Sequence, residues 1–179
     1  LLNIKSIASL IVDPKILKAA ENHIGCLPKL QSINSWITLY TDNEYEKSYA
    51  AQHWHTDNDC HKFFKVFLYL NDVDETNGAH EIITNSKQTI SNILKSHILR
   101  RGQIILPENK KILTGKKGSI ILEDTRNLHR GGIITDPNKY RILFHWWYGS
   151  NNESISNLQY FDKNKLTHNI LDDYIDVIL

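Results

Sequence analysis

The spacing of apolar residues near the start of the chain predicts one amphipathic helix. The residues that recur at helical intervals are Ile16, Leu17, Ala20 and Ile24. Asp13 can accept hydrogen bonds from the free amides of a first turn, Pro14 suits the first helical position, and Gly25 suits a helix end. The sequence therefore predicts a packing helix over residues 14–24.

Farther along, the pattern changes to short runs rich in β-branched and aromatic residues. Four runs are bounded by turn residues, namely Ser35–Tyr40, Lys65–Leu70, Ser119–Leu122 and Arg141–Tyr148. The turn signals include Asn77-Gly78 and Asp136-Pro137. Many short strands separated by turns favour a sandwich or a barrel, so we expect a mainly β fold with its core over about residues 34–148. The final residues return to helical spacing, which predicts a closing helix over about residues 160–178.

The composition is that of an ordinary globular domain. The chain has 179 residues, of which 41% are hydrophobic and 23% are charged, and the net charge is +1. No basic run is long enough to indicate nucleic-acid binding, and no apolar run approaches the roughly 20 residues of a membrane helix. Because neither a repeat nor a flexible linker divides the sequence, we predict a single domain over residues 1–179.

The residues with the clearest chemistry are His55, Asp57 and His129. On a β-strand, positions i and i+2 point to the same face, so His55 and Asp57 could offer a nitrogen and an oxygen to one ion. His129, placed in a short loop after the Ser119–Leu122 strand, could complete the set. Two imidazoles and one carboxylate suit non-haem iron(II), although the same ligands could hold a catalytic zinc. In a chain with 9 histidines, a His-x-Asp by itself is a weak signal.

Arg141 is a candidate for binding an anion. It stands near the start of an otherwise apolar strand, and an arginine that faces inward from such a strand needs an anionic partner. A carboxylate of a bound 2-oxo acid could supply that partner through two parallel hydrogen bonds. The alternative is an exposed arginine at the strand end, paired with Asp136 or Glu123.

Four segments in a fixed order carry a more specific signal. They are Gln52–Asp57, Phe67–Ala79, Gly118–Gly131 and Lys139–Leu143. They resemble the motifs of the phytanoyl-CoA dioxygenase family, within the wider iron(II)- and 2-oxoglutarate-dependent oxygenases. The resemblance covers about residues 50–148 and implies a double-stranded β-helix, that is, a cupin-like jelly roll, with helices flanking the barrel.

The resemblance also implies roles at the matching positions. His55, Asp57 and His129 would be iron(II) ligands, and Arg141 would pair with the distal carboxylate of the cosubstrate 2-oxoglutarate. The implied enzyme is a dioxygenase that consumes O2 and 2-oxoglutarate, hydroxylates a small molecule, and releases succinate and carbon dioxide. An aspartate at position 57 favours hydroxylation, desaturation or cyclisation over halogenation, because related halogenases leave that position empty.

Several positions depart from the family pattern or add to it. Asn85-Ser86-Lys87 stands where the family usually shows Gly-Ser-His, and Gly131 stands where a small hydroxyl residue often touches the cosubstrate. Neither change removes a metal ligand. Tyr69 and Lys65 share one face of a predicted strand and could hydrogen-bond 2-oxoglutarate, although Lys65 could instead lie in solvent at the rim.

Two other functions stay open at this stage. The chain could be a cupin-like metalloenzyme that does not use 2-oxoglutarate, such as a zinc hydrolase or isomerase, or a non-catalytic jelly-roll binding module. We expect a small-molecule substrate and neither a nucleic-acid nor a membrane partner. Iron(II) chemistry and two isolated cysteines fit a reducing cytoplasm. Substrate contacts would come from loops at about residues 41–50, 83–118 and 149–165, whose sequences do not indicate a substrate class or an oligomeric state.

Overall fold

A computed structural model describes residues 5–47, 50–59, 61–86 and 109–150. The helices are α1 (Lys5–Ile11), α2 (Pro14–Ile24) and α3 (Glu44–Lys47), and a short 3-10 turn covers Ala50–Gln52. The strands are β1 (Lys29–Leu39), β2 (Phe63–Tyr69), β3 (His80–Ile83), β4 (Lys110–Leu113), β5 (Ile120–Glu123), β6 (Leu128–Gly131) and β7 (Tyr140–Gly149). The predicted closing helix lies outside the described residues, as do most of the predicted substrate loops.

The strands form two sheets. The first has the order β1-β7-β2-β5 and the second the order β4-β3-β6. β3 is antiparallel to both of its neighbours, and its pairing with β6 places Ile82 opposite His129 and His80 opposite Gly131. The predicted mainly β class with a helix near the N-terminus is therefore confirmed.

All four strands predicted from the sequence are present, with shifted ends. β1 begins well before Ser35, and β2 begins before Lys65. Three further strands, β3, β4 and β6, were not predicted. Each has four residues, of which two are polar or charged, so none forms an apolar run that can be recognised in the sequence.

The described contacts divide the chain into two compact units. Among the described residues, unit 1 comprises residues 5–34, 59, 61–66 and 145–150, and unit 2 comprises residues 35–47, 50–58, 67–86 and 109–144. The assignment of residues 1–179 to a single domain stays a prediction.

Unit 1 contains the packing helix, which has the predicted bounds. The Asp13 side chain accepts hydrogen bonds from the amides of Lys15 and Ile16, and Gly25 ends the helix in the left-handed conformation. The predicted apolar face is buried. Unit 1 also buries Tyr148, whose hydroxyl accepts a hydrogen bond from Trp146 Nε1 at 2.8 Å and donates one to the Ile11 carbonyl.

Unit 2 has its own apolar cluster. Its buried members are Phe67, Tyr69, Val73, Ala79 and Leu143, and the partly buried Ile121 packs against them. The cluster belongs to the same unit as the residues that the sequence predicts to carry chemistry, which lie on β6, on β7 and in the segment around His55.

The Asn77-Gly78 turn fixes the start of β7. Gly78 has a φ of +82°, and a Cβ placed there would lie 2.7 Å from the Gly132 carbonyl oxygen. The Asn77 amide donates hydrogen bonds to the carbonyls of Asp72, at 2.8 Å, and Tyr140, at 3.1 Å. Because Tyr140 directly precedes Arg141, this turn helps to fix the backbone position of Arg141.

Replacing Gly78 with alanine is expected to lower the free energy of unfolding by about 2–4 kcal/mol. Left-handed backbone costs a non-glycine residue about 1–2 kcal/mol, and the contact with the Gly132 carbonyl adds an overpacking cost of similar size. The matched control is Gly118→Ala, because Gly118 has a φ of +92° with nothing within 4 Å of its added Cβ. Urea unfolding of both variants measures the difference, and equal losses would contradict the proposed crowding at Gly78.

Candidate metal centre

Two of the predicted ligands lie directly opposite each other. The His55 amide donates to the His129 carbonyl at 3.0 Å, and the His129 amide donates to the His55 carbonyl at 2.9 Å. Opposite residues of an antiparallel pair place their side chains on the same side, and the two rings lie 4.3 Å apart. Two local predictions are wrong: His55 makes an isolated bridge instead of lying in a strand, and His129 lies within β6 instead of in a loop.

Asp57 completes the predicted set of donors. Its amide donates to the Thr125 carbonyl at 2.9 Å, which anchors the backbone beside β6. Its Oδ1 lies 3.6 Å from His55 Nε2, and its Oδ2 lies 3.5 Å from His129 Nε2. One donor atom from each of the three residues lies within 4.8 Å of the others. The structure therefore brings the three predicted ligands into one cluster whose size and donor types fit a divalent transition metal.

Both imidazole rings are oriented by the backbone close to them in sequence. His55 Nδ1 lies 2.7 Å from the His53 carbonyl oxygen, and His129 Nδ1 lies 2.9 Å from the Asn127 carbonyl oxygen. A carbonyl only accepts, so each Nδ1 carries the proton and donates. Each Nε2 is then an acceptor, which is the form that a metal-binding imidazole needs.

A side-chain network positions the backbone that leads into His129. The Ser86 hydroxyl accepts from the Leu128 amide and donates to the Ile83 carbonyl, at 2.7 Å in each case. The Asn127 side chain accepts from the Ser86 amide at 3.1 Å. Asn85 has a φ of 60°, a conformation that asparagine tolerates better than most residues. The departure from Gly-Ser-His at this point therefore keeps both a residue suited to left-handed backbone and the serine.

His129 is the more deeply buried of the two histidines. It is 3% exposed, whereas His55 is half-buried. Burial, together with the neighbouring His55, lowers the pKa of His129 to about 4. The ring is therefore neutral at physiological pH, so a metal ion does not have to displace a proton from it.

Arg141 lies inside unit 2. It is 3% exposed, and it donates hydrogen bonds to the Gly78 carbonyl and, at 3.3 Å, to the Thr38 hydroxyl. Its Nε has no partner, and across the described residues no carboxylate forms an ion pair with it. The alternative of an exposed arginine paired with Asp136 or Glu123 is therefore wrong. Burial lowers the pKa of Arg141 from its usual value, and the group stays charged.

The guanidinium group lies against β6 on the same side as His129. A Cβ built on Gly131 would lie 2.7 Å from Arg141 Nη2 and 3.3 Å from Nη1. Positions i and i+2 of a strand share a face, so the side of β6 that carries His129 also faces the guanidinium. The absence of a side chain at Gly131 is what leaves room for it.

Two asparagines hold the strand that carries Arg141. Asn71 accepts from the Ile142 amide at 2.7 Å and donates to the Tyr140 carbonyl at 2.9 Å, and Asn77 donates to the same carbonyl. Both asparagines belong to the Phe67–Ala79 segment. Their contacts give that segment a physical role, which is to fix the position of Arg141.

Tyr69 and Lys65 have other partners in the structure. The Tyr69 hydroxyl donates to the Leu113 carbonyl at 2.7 Å and accepts from the His80 amide at 3.0 Å, and burial raises its pKa. Lys65 belongs to unit 1, where its Nζ lies 2.7 Å from Asp59 Oδ2, and it is buried instead of lying in solvent. A role for either residue in binding 2-oxoglutarate stays a prediction.

Sequence reasoning missed a buried pair beside the metal cluster. His80 Nε2 lies 2.7 Å from Glu123 Oε2, and both side chains are at most 5% exposed. The His80 ring lies 5.6 Å from the His129 ring and 4.9 Å from the Phe67 ring. Only the register that sets His80 opposite Gly131 brings it here, and no local motif indicates that register.

The comparisons with known proteins are informative for the fold. No family model and no curated protein matches the sequence, whereas solved structures do. The non-heme alpha-ketoglutarate-dependent epimerase SnoN from nogalamycin biosynthesis is 16% identical, with a TM-score of 0.57 over 82% of this chain and 57% of its own. HygX from Streptomyces hygroscopicus, solved with nickel, 2-oxoglutarate and hygromycin B, is 14% identical, with a TM-score of 0.54 over 84% of this chain and 67% of its own.

A third solved structure is similar over a comparable share of the chain. The non-heme monooxygenase ThoJ is 17% identical, with a TM-score of 0.58 over 84% of this chain and 57% of its own. At these identities the likeness shows the fold alone, and it confirms the predicted jelly-roll class. The chain spans about a third of the length of the solved structure of EvdMO1 and about two thirds of the length of HygX. The phytanoyl-CoA dioxygenase resemblance stays a prediction.

The metal-free protein is expected to lose stability as the pH falls from about 6.5 to about 4. The folded pKa of His129 is about 4, below its ordinary value of 6.5, so the unfolded chain binds a proton that the folded chain refuses. The contribution is fully present above pH 6.5 and amounts to about 3 kcal/mol. Urea unfolding in chelator across this range should show a steeper fall for the wild type than for His129→Gln. The control is the exposed His61→Gln, and parallel profiles for wild type and His129→Gln would contradict the prediction.

Proposed function

We propose that this protein is an iron(II)- and 2-oxoglutarate-dependent oxygenase that acts on a small molecule. The observation that supports it best is the combination within unit 2 of the His55, Asp57 and His129 donor cluster with a buried Arg141 on the same side of β6. The solved structures of this fold include proteins described as 2-oxoglutarate-dependent or bound to 2-oxoglutarate, which is consistent with the proposal.

The donor set favours an ion with several open coordination positions. Two imidazoles and one carboxylate occupy one face of the ion, and this arrangement is typical of non-haem iron(II) oxygenases. The same three donors can hold zinc, so the ligands by themselves do not choose the reaction. Arg141 favours the oxygenase, because a hydrolytic zinc site has no need of a buried cation without a carboxylate partner.

Arg141 supplies the binding group for the far end of the cosubstrate. A buried guanidinium without a counterion is costly, and a dicarboxylic 2-oxo acid would provide the missing negative charge. The hydrogen bonds to Gly78 and Thr38 use only part of the five donors of the group. The remaining donors are available for a carboxylate.

The residues of the chain would perform binding and orientation. A bound metal would supply the activation of O2 with oxidative decarboxylation of the 2-oxo acid to succinate and carbon dioxide. His55, Asp57 and His129 would hold the ion, and the contacts of the two Nδ1 atoms with backbone carbonyls orient each imidazole so that Nε2 is the acceptor. Arg141 would orient the cosubstrate, and the buried apolar cluster of Phe67, Val73 and Leu143 would limit the entry of water into the interior of the same unit.

The substrate reaction is proposed as hydroxylation, with desaturation, cyclisation or epimerisation as related outcomes. Asp57 occupies the position that a halogenase needs empty, which argues against halogenation. No helix of the described residues is long and apolar enough to cross a membrane. We propose a small-molecule substrate and a reducing cytoplasmic setting, in which iron(II) stays available.

Asp57→Ala is expected to weaken iron(II) binding roughly a hundredfold or more and to abolish turnover. Removal of a metal ligand is more damaging than loss of a residue behind it, which typically costs 10–100-fold in metal affinity. The test is an anaerobic titration of the apoprotein with iron(II), followed by succinate release in the presence of O2 and 2-oxoglutarate. Asp59→Ala is a control that removes a nearby carboxylate paired with Lys65 in unit 1. Undiminished succinate formation by Asp57→Ala would contradict the ligand assignment.

Arg141→Ala is expected to weaken 2-oxoglutarate binding roughly 10–100-fold while leaving iron(II) binding unchanged. The variant removes the charged donors and retains the three metal ligands. Addition of 2-oxoglutarate to the anaerobic iron(II) protein should produce a visible metal-to-ligand charge-transfer band, whose growth gives the affinity. The charge-matched control is Arg130→Ala, since Arg130 pairs with Glu81. A protein that binds zinc in preference and gives no band would instead favour the zinc hydrolase or isomerase.

A further inference from the structure

The guanidinium of Arg141 lies against a position of β6 that carries no side chain. Position 131 is a glycine, and its added Cβ would lie 2.7 Å from Arg141 Nη2. A serine or threonine at this position would therefore collide with the guanidinium where it now lies. A hydroxyl beside the guanidinium therefore has to come from another residue.

Thr38 on β1 provides a hydroxyl at the required place. Its Oγ1 lies 3.3 Å from Arg141 Nη2, and both residues belong to unit 2. Its neighbours Ile37 and Leu39 are 61% and 66% exposed, whereas Thr38 is half-buried. This alternation directs the Thr38 side chain away from the exposed face of β1 and towards the guanidinium.

The hydrogen-bonding capacity of the two groups is complementary to a carboxylate. A threonine hydroxyl has one proton to donate and two lone pairs. At Thr38 a lone pair accepts from Arg141 Nη2, so the proton remains available for donation. A carboxylate accepts only, and it can take hydrogen bonds from a guanidinium and an adjacent hydroxyl at the same time.

We propose that Thr38 is a binding residue for the distal carboxylate of the 2-oxo acid, to which its hydroxyl donates beside the Arg141 guanidinium. This inference rests on the proposed function and adds a residue to its site. The donor comes from β1 instead of β6, so the carboxylate is held between two strands, β1 and β7, and against the bare backbone of a third.

The test compares two cosubstrates on the anaerobic iron(II) protein. The first is 2-oxoglutarate, and the second is 2-oxopentanoate, which has the same carbon chain without the distal carboxylate. The charge-transfer band gives the dissociation constant of each acid. The variants are Thr38→Val, which removes the hydroxyl at nearly constant shape, and Thr38→Ser, which retains it. Thr135→Val is the matched control, because Thr135 is an exposed threonine of the same unit.

We expect Thr38→Val to raise the dissociation constant for 2-oxoglutarate roughly tenfold, since a hydrogen bond to a charged group is lost. The constant for 2-oxopentanoate and the affinity for iron(II) should not change, and both Thr38→Ser and Thr135→Val should resemble the wild type. In an Arg141→Ala background the effect of Thr38→Val should shrink, because the carboxylate is no longer fixed beside it.

The outcomes separate this inference from the proposed function. A band with both acids and an unchanged 2-oxoglutarate constant in Thr38→Val would overturn the role of Thr38 and leave the oxygenase proposal in place. Equal weakening of both acids would also overturn it, because it would indicate a structural effect on the metal end of the site. A wild-type protein that binds iron(II) and gives no band with either acid would overturn both.

Discussion

The reciprocal pair of backbone hydrogen bonds between His55 and His129 is the interaction on which the candidate site depends. These residues are distant in sequence, and their side chains meet only because the two backbones pair in this register. A shift of one residue would turn one side chain to the opposite face. The Ser86 and Asn127 network around Leu128 and the Asp57–Thr125 contact hold the same register from both sides.

Arg141 imposes a second constraint on unit 2. A buried cation needs hydrogen-bond acceptors and room for its own side chain, and the structure provides both. Gly78 offers a carbonyl, Gly131 offers room, and Asn71 and Asn77 fix the backbone on either side. The two glycines are thus required for different reasons, one for a left-handed turn and the other for the volume it leaves free.

Sequence alone predicted the residues whose chemistry is local and missed those whose role comes from register. His55, Asp57, His129 and Arg141 were predicted because their segments resemble family motifs in a fixed order, and four strands were found because they are rich in β-branched and aromatic residues. The strand that carries His129 was missed because two of its four residues, His129 and Arg130, are polar or charged, so it forms no apolar run. His80 and Glu123 each look ordinary in the sequence, and they meet only through the pairing of β3 with β6.

The sequence departs from the family pattern at two places, and the structure gives a physical meaning to each departure. Asn85 tolerates the backbone conformation for which glycine is usually chosen, so that exchange is conservative. The exchange to glycine at position 131 is not conservative, because the guanidinium of Arg141 fills the space that a side chain would need. Two substitutions that look alike in a sequence can therefore differ in whether a neighbouring side chain occupies the space at that position.

The hydrogen bonds that fix both imidazoles to carbonyls two residues earlier have a consequence for metal choice. A site whose donors are already oriented has little freedom to adapt its shape, so it cannot select one ion by closing differently around it. Nickel, copper and zinc bind such nitrogen and oxygen donors at least as strongly as iron(II) does. Which ion the folded protein acquires would then be decided by the supply of free metal in its surroundings, and the same polypeptide could be filled with an inert ion wherever iron is scarce.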